Sequence, residues 1–291
     1  MLKNSLLKIR RLIIRSSLKV VDRKTYKTRS EYWPWINIRN SATNHHEIFS
    51  FSQKLTTSKP VYELTCENKT FSIVGAGPSI NDVDFLKIEN TNIILLNGAI
   101  SLIHKKSITP FYCIIIDSTF IENRFDIVRE LPSGTHLLTT LGCLRAIHER
   151  DPHLIKRLNI SVTQNVTAPT HKTTNSDLGP LFKTQGYSDD LDVGYIDGGT
   201  VMAVGLQLAL QLDAHEILLL GLDINNISQP RFYEKHNQSL KSGLLKDYQH
   251  KILPFMMKMA SVCRDRGIQI YNCSSVSKLP YDLIPFYNIN R

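Results

Sequence analysis

Phe71-Ser72-Ile73-Val74-Gly75-Ala76-Gly77-Pro78-Ser79 is the stretch that decides how this chain folds. A short apolar run closing on two glycines, a proline and a hydroxyl predicts a buried strand that opens into a turn sized for a phosphate. Glycine lets the backbone bend there and brings N–H groups close to an anion. Ser79, Asn81 or Asp82 is expected to cap a helix whose N-terminus faces that anion. The segment is not the full dinucleotide fingerprint, because Ser79 stands two positions after Gly77 and the third glycine is missing. Taken alone, these residues also describe a plain tight turn.

The pattern recurs. Asn92 to Gly98, Phe111 to Ser118 and Glu216 to Asp223 are apolar runs that close on Asn97, Asp117, Gly221 and Asp223. Helix-length stretches, Val201 to Leu212 and Pro254 to Asp265, lie between and after them. Alternation of strand and helix predicts an α/β fold with a mostly parallel sheet and helices on both faces. Ligands bind at the carboxyl edge of such sheets, so Gly75, Ala76, Gly77, Asn97, Asp117 and Asp223 are expected around one cleft. Another strand is expected from Ile268 to Ser275, where Ser274 and Ser275 reach the same edge, although an ordinary hydroxyl turn also explains them.

Length, charge and cysteine content narrow the class. The 291 residues are 42% apolar, ordinary for a globular protein, and no run approaches the roughly 18 uncharged apolar residues of a membrane span. The net charge of +9 sits in residues 1–39, where eleven Lys and Arg face only Asp22 and Glu31; the rest balances 24 basic against 24 acidic residues. A nucleic-acid partner is therefore not expected of the body. In the arm, Leu2, Leu6, Ile9, Ile13 and Val20 fall near helical spacing among Lys3, Lys8, Arg10, Arg11, Arg15 and Lys19. This predicts a basic amphipathic helix, suited to an anionic membrane surface at about 1 kcal/mol per cation, or else docked on its own domain. Arg10, Arg11 and Arg15 interrupt the apolar core that a secretory signal needs. The five cysteines include no CxxC pair and no zinc-like Cys/His spacing, which fits a reduced cytoplasmic compartment and no metal site of that kind.

Residues 1–65 read as this arm, the aromatic turn Tyr32-Trp33-Pro34-Trp35 and a polar connector, and 66–291 as the functional domain. Two polar stretches are expected to be loops or lids: 159–192, and the insert at about 225–249 with Arg231, Tyr233, Lys235 and His236. Asp189-Asp190-Leu191-Asp192 contains the D-x-D pattern of a metal–diphosphate site, but reads better as a solvated acidic loop. Asp197-Gly198-Gly199-Thr200 before an apolar helix is a second anion-binding helix start. Among ten histidines, His236 and His250 lie at the expected cleft edge, His250 opening the last helix, where either would serve as general base.

At Ile73 to Ser79, Asn97, Asp117, Gly198 to Thr200 and Gly221 to Asp223 the order and spacing resemble bacterial sialyltransferases that use a CMP-sugar. Leu95 to Gly98, Thr109 to Phe111, Arg231 to Tyr233, Ile252 to Phe255, Ile270 to Asn272 and Tyr281 to Pro285 are more similar to the lipopolysaccharide core Kdo transferases that add a branch Kdo. The resemblance implies a modified Rossmann (GT-A-like) fold with a small lid and inversion at the anomeric carbon. It implies that Gly75, Ala76, Gly77, Pro78 and Ser79 approach the CMP phosphate and that Asn97 and Asp117 contact the donor. Gly198, Gly199 and Thr200 would face its phosphate or carboxylate, and Gly221 to Asp223 its ribose or base. His250 would be the base, and Tyr233 would neutralise the leaving phosphate. Ala76 and Asp117 stand where the sialyltransferase pattern has Asn. The implied partners are a CMP-activated sugar, a lipopolysaccharide core acceptor and the inner membrane's cytoplasmic surface, with no cofactor required beyond the CMP-sugar. Alternatives are a sialyl- or pseudaminic-type transferase, a Mg²⁺/ATP diphosphokinase of the pterin type, or a nucleotide-binding scaffold without turnover.

Overall fold

The computed structural model describes residues 2–23, 26–39, 45–167, 178–225, 229–234 and 243–290. Its strands are β1 (Ile36–Arg39), β2 (Glu47–Ser50), β3 (Gln53–Thr57), β4 (Thr70–Val74), β5 (Asn92–Leu96), β6 (Tyr112–Ile115), β7 (His136–Thr139), β8 (Asn159–Val162), β9 (Glu216–Leu220) and β10 (Gln269–Asn272). The apolar runs singled out in the sequence form β4, β5, β6, β9 and β10. β7 and β8 were not expected.

Seven of these strands make one all-parallel sheet in the order β10-β9-β4-β5-β6-β7-β8. The chain starts at β4, steps outward to β8, then returns to the other side of β4 for β9 and β10. That reversal opens a crevice between the carboxyl ends of β4 and β9, where open α/β sheets bind ligands. Alternate side chains feed two cores. Phe71, Ile73, Ile94 and Ile114 pack under the helices Val201–Gln211 and Leu253–Asp265. Val74, Leu95, Cys113 and Ile115 pack under residues from Leu102 to Leu158.

Two polar regions are more ordered than the sequence suggests. The connector carries β1, β2 and β3, an antiparallel three-stranded sheet whose Ile36, Ile48 and Leu55 are buried in the same core as Val74. In 159–192, β8 and the helix Leu178–Gln185 replace the expected loop, while residues 168–177 lie outside the described residues. Buried side chains hold this stretch in place of apolar periodicity. Gln207 Oε1 accepts from the backbone N–H of Ser188 and of Ile196, both at 2.9 Å, and Asp192 accepts from Val61 N–H at 2.8 Å.

The basic arm is a helix, Leu2–Val21. Its cationic side faces the domain: Arg10 lies 3.5 Å above the Trp35 ring and Arg11 pairs with Glu122 at 2.5 Å. Leu6, Ile9, Ile13 and Val20, at i, i+3 and i+7 spacing, are each more than half exposed, so the apolar stripe points outward.

Candidate active site

The cleft is built from the turns that follow β4, β5, β6 and β9. After β4 the pairing with β9 continues into the turn, with Gly75 N–H donating to Leu220 O at 2.8 Å and Gly77 N–H to Gly221 O at 3.0 Å. A Cβ on Gly75 would lie 2.8 Å from Gly221 O, and one on Gly77 2.7 Å from the same oxygen and closer still to the Asp223 carboxylate. Only glycine lets these two strand ends approach. No α-helix follows: Pro78–Asp82 is a single 3₁₀ turn without a side-chain cap, so the helix start expected after Gly77 is absent. Ser79 instead braces the turn. Its N–H and Oγ donate to the two Asp223 oxygens at 2.6 and 2.7 Å, and Ser274 Oγ donates to the same carboxylate. Asp223 is buried and satisfied by these bonds, a position fixed by the protein itself.

After β5, Asn97 adopts the left-handed region at φ 47°. Its Oδ1 is buried and has no hydrogen-bond partner. Next to it, a Cβ on Gly98 would overlap the Tyr233 ring, so that ring rests directly on the chain after β5. After β6, Asp117 caps the helix Ser118–Asn123 by accepting from Thr119 N–H at 2.8 Å, and its side chain is exposed. Opposite, Thr200 caps the eleven-residue helix Val201–Gln211, with Oγ1 accepting from Met202 N–H at 3.3 Å. Gly199 reaches φ 77° at that helix start and receives support from Asp197 at 2.9 Å.

Arg231, Tyr233 and Glu234 close one side. The Glu234 carboxylate, 1% exposed, accepts from the Arg231 side chain at 2.9 Å and from its backbone N–H at 3.0 Å. Tyr233 packs edge-on against Phe120 and Phe232, under the Arg124 guanidinium at 4.8 Å. Burial pushes its phenol up from the ordinary tyrosine value, partly offset by Arg231. The hydroxyl therefore stays protonated at neutral pH and is available as a donor.

These elements enclose about 640 Å³, within the range of a small-molecule or cofactor site. Gly75, Ala76, Gly77, Pro78, Asn97, Asp117, Gly199, Thr200, Gly221, Asp223 and Tyr233 line it. Gly198 does not; it is buried against Ala203 and Phe255. His250 is also outside the lining and exposed. Helical structure begins at Leu244 and passes through the π turn Tyr248–Ile252 into Leu253–Asp265, so His250 lies inside a helical run and the expected effect of a helix start does not apply. His236 and Lys235 fall outside the described residues. Thr119, Asn123 and Glu234 line the cleft without having been singled out, and Arg231 was noted within the insert and the resemblance but given no role. The cap pattern Asp117-Ser118-Thr119 carried a signal for Thr119; the others carried none. Asp189 pairs with Arg266 at 2.7 Å, Asp190 accepts from Asp192 N–H at 3.0 Å, and Asp192 holds Val61, so the acidic triplet is committed to structural bonds.

Residues 153–290 match the family described as 3-deoxy-D-manno-octulosonic acid transferase WaaZ, a span that includes the cleft from Gly199 onward. Over 236 residues the chain is 25% identical to "Probable 3-deoxy-manno-octulosonic acid transferase" of Escherichia coli (strain K12), covering 74% of this chain and 81% of that protein. Among solved structures, the MAf glycosyltransferase from Magnetospirillum magneticum AMB-1 aligns over 78% of this chain at a TM-score of 0.45 and 15% identity. The chain spans only 35% of that structure's length. The resemblance to Kdo transferases drawn from the motifs is thus carried by a family match over residues 153–290 and by a similarly described relative across most of the chain.

Proposed function

We propose that this chain is a Kdo transferase that moves Kdo from CMP-Kdo to a sugar of the lipopolysaccharide core, with inversion at the anomeric carbon. The observation that carries the reading is Asn97: a residue in the left-handed region whose buried carbonyl oxygen has no partner, at the carboxyl end of β5 next to the sheet's reversal point, in a cleft of about 640 Å³. An unfilled buried acceptor costs about 1–3 kcal/mol, a penalty that a donor N–H or O–H removes. Around it, the amides at the Thr200-Val201 helix start and the Tyr233 hydroxyl suit a departing phosphate. In an inverting displacement the acceptor oxygen attacks the anomeric carbon as the C–O bond to CMP breaks, and the acceptor's proton goes to a base.

Two groups compete for that proton. His250 is the base implied by the resemblance. Asp117 is favoured by position: of the carboxylates lining the cleft, Asp223 is held by two serines and Glu234 by Arg231, whereas Asp117 has no cationic partner among the described residues. We expect the true base, replaced as His250→Ala or Asp117→Asn, to lower kcat by 10²–10⁴-fold with CMP binding retained, and the other replacement to leave kcat within about tenfold.

The outward apolar stripe of the N-terminal helix supports a peripheral position on a membrane surface. Among the described residues no helix is long and apolar enough to cross one.

Thermal melting with CMP, CDP, UDP, ADP and ATP, each with and without Mg²⁺, tests the donor class. Ligand at 100 times its Kd adds about 2.7 kcal/mol. Stabilisation by CMP is the expected result. Stabilisation by ATP with Mg²⁺ and none by CMP would move the diphosphokinase reading to first place, and competition among CMP-sugars separates Kdo from sialic-type donors.

A further inference from the structure

Beside the donor cleft lies a second cavity of about 590 Å³, between the N-terminal helix and the helix Ser118–Asn123. Asn123 lines both cavities. We infer that this second cavity is the acceptor subsite and binds an oxyanion, a carboxylate or a phosphate, carried by an acidic acceptor saccharide. The inference rests on the transferase reading above and adds which group of the acceptor is recognised, and where.

The charge balance carries the argument. Five cations and three carboxylates line the cavity. Glu122 and Glu149 are taken by Arg145 and Arg11, at 2.5 to 2.7 Å. That leaves Arg15, Lys27 and Arg150 without an ion-pair partner among the described residues. Arg150 is anchored only through backbone carbonyls, Ala146 O at 3.0 Å and Glu122 O at 3.3 Å. Two of its five N–H groups are so used, and the rest remain for another acceptor. Burial disfavours the charge on Arg150 and pushes the remaining carboxyl, Glu31, up toward its neutral form. Glu122 and Glu149 lie near Arg150 but are paired with Arg11 and Arg145, so a half-buried guanidinium that makes no ion pair of its own is stabilised by an incoming anion. Two guanidinium forks and an ammonium around one cavity match the oxygens of a carboxylate or phosphate.

Position selects the acceptor over the donor. The donor phosphate has its own amides at the Thr200-Val201 helix start, in the other cavity. The basic cavity is walled by the same helix that turns Leu6, Ile9 and Ile13 outward, the side from which a lipid-linked acceptor approaches. A saccharide anchored by its oxyanion there extends past Asn123 to place a hydroxyl in the donor cleft.

The test uses the full chain with deacylated core oligosaccharide as acceptor, either untreated, dephosphorylated with hydrofluoric acid, or carboxyl-reduced. The Arg15→Gln/Lys27→Gln double variant is expected to raise the acceptor KM about tenfold or more, with kcat within twofold and the CMP-induced melting shift unchanged. One of the two treatments is expected to raise the wild-type KM equally and to erase the difference between wild type and variant, which identifies the oxyanion. Should the double variant melt early, Lys27→Gln alone, at an exposed position, serves with Arg15→Lys as the charge-preserving control. An unchanged acceptor KM in a folded, CMP-binding variant overturns the inference while leaving the transferase reading intact. So does a loss confined to binding of phosphatidylglycerol vesicles, which would make the cavity a lipid-headgroup site. Wild-type protein that neither transfers nor responds to CMP overturns the transferase reading, and the subsite with it.

Discussion

Gly77→Ala is expected to abolish the melting shift produced by CMP and to lower transfer below detection, in a protein that still folds. The added methyl has nowhere to go: its nearest neighbours are the Asp223 carboxylate and the backbone oxygen of Gly221 at 2.7 Å. Gly77 itself has an ordinary extended backbone, φ −64° and ψ 155°, so the penalty is steric and not conformational. Overpacking of this kind costs about 1–3 kcal/mol. Relief requires β4 and β9 to separate at their carboxyl ends or Asp223 to swing away from Ser79 and Ser274, and each movement reshapes the cleft. Gly179→Ala is the control. It lies in the helix Leu178–Gln185, where a Cβ makes an ordinary 3.6 Å contact with Val166, and it is expected to match or slightly exceed the wild-type melting temperature with the full CMP shift. A normal CMP response from Gly77→Ala would place the donor away from this turn.

The parallel strands were legible because buried strands read as continuous apolar runs, and their ends because Gly75, Gly77, Asn97, Asp117, Gly221 and Asp223 interrupt those runs abruptly. Since a parallel sheet brings such ends to one edge, much of the cleft lining followed. What was not legible depended on partners distant in sequence. Ser79 reads as a cap, yet its bonds go to Asp223, 144 residues away. β1, β2 and β3 are four or five residues long and do not alternate buried with exposed positions, so their pairing leaves no alternating pattern to read. His250 was read as opening the last helix, whereas the helical run begins at Leu244 and passes through a π turn that no local pattern announces. Arg145 sits in an apolar helix, Leu141–His148, as a lone charge of the kind ordinarily exposed; Glu149 is its i+4 neighbour, but Glu31 and Glu122 come from other segments, 114 and 23 residues away.

That arginine yields the largest expected effect on stability. Arg145 is 3% exposed and ties the N-terminal region to the sheet: Nε donates to Glu31 O, one terminal nitrogen to Glu149 at 2.5 Å and the other to Glu122 at 2.7 Å. Glu122 keeps Arg11 when Arg145 is lost, but Glu149, 13% exposed, keeps no cation among the ion pairs of the described residues, and the Glu31 carbonyl loses its side-chain donor. Removing one member of a buried ionic group costs about 3–5 kcal/mol, because the remaining charge stays desolvated without compensation. Arg145→Met should therefore lower the melting temperature by on the order of 10 °C, while CMP still raises it, since Arg145 does not line the donor cleft. Adding Glu149→Leu to that variant should restore part of the loss, because a well-packed apolar pair replaces an orphaned carboxylate. Recovery in the double variant attributes the cost to the unpaired charge; no recovery attributes it to the Glu31 carbonyl and to the seat of the N-terminal helix, which would then also melt at a lower temperature than the sheet.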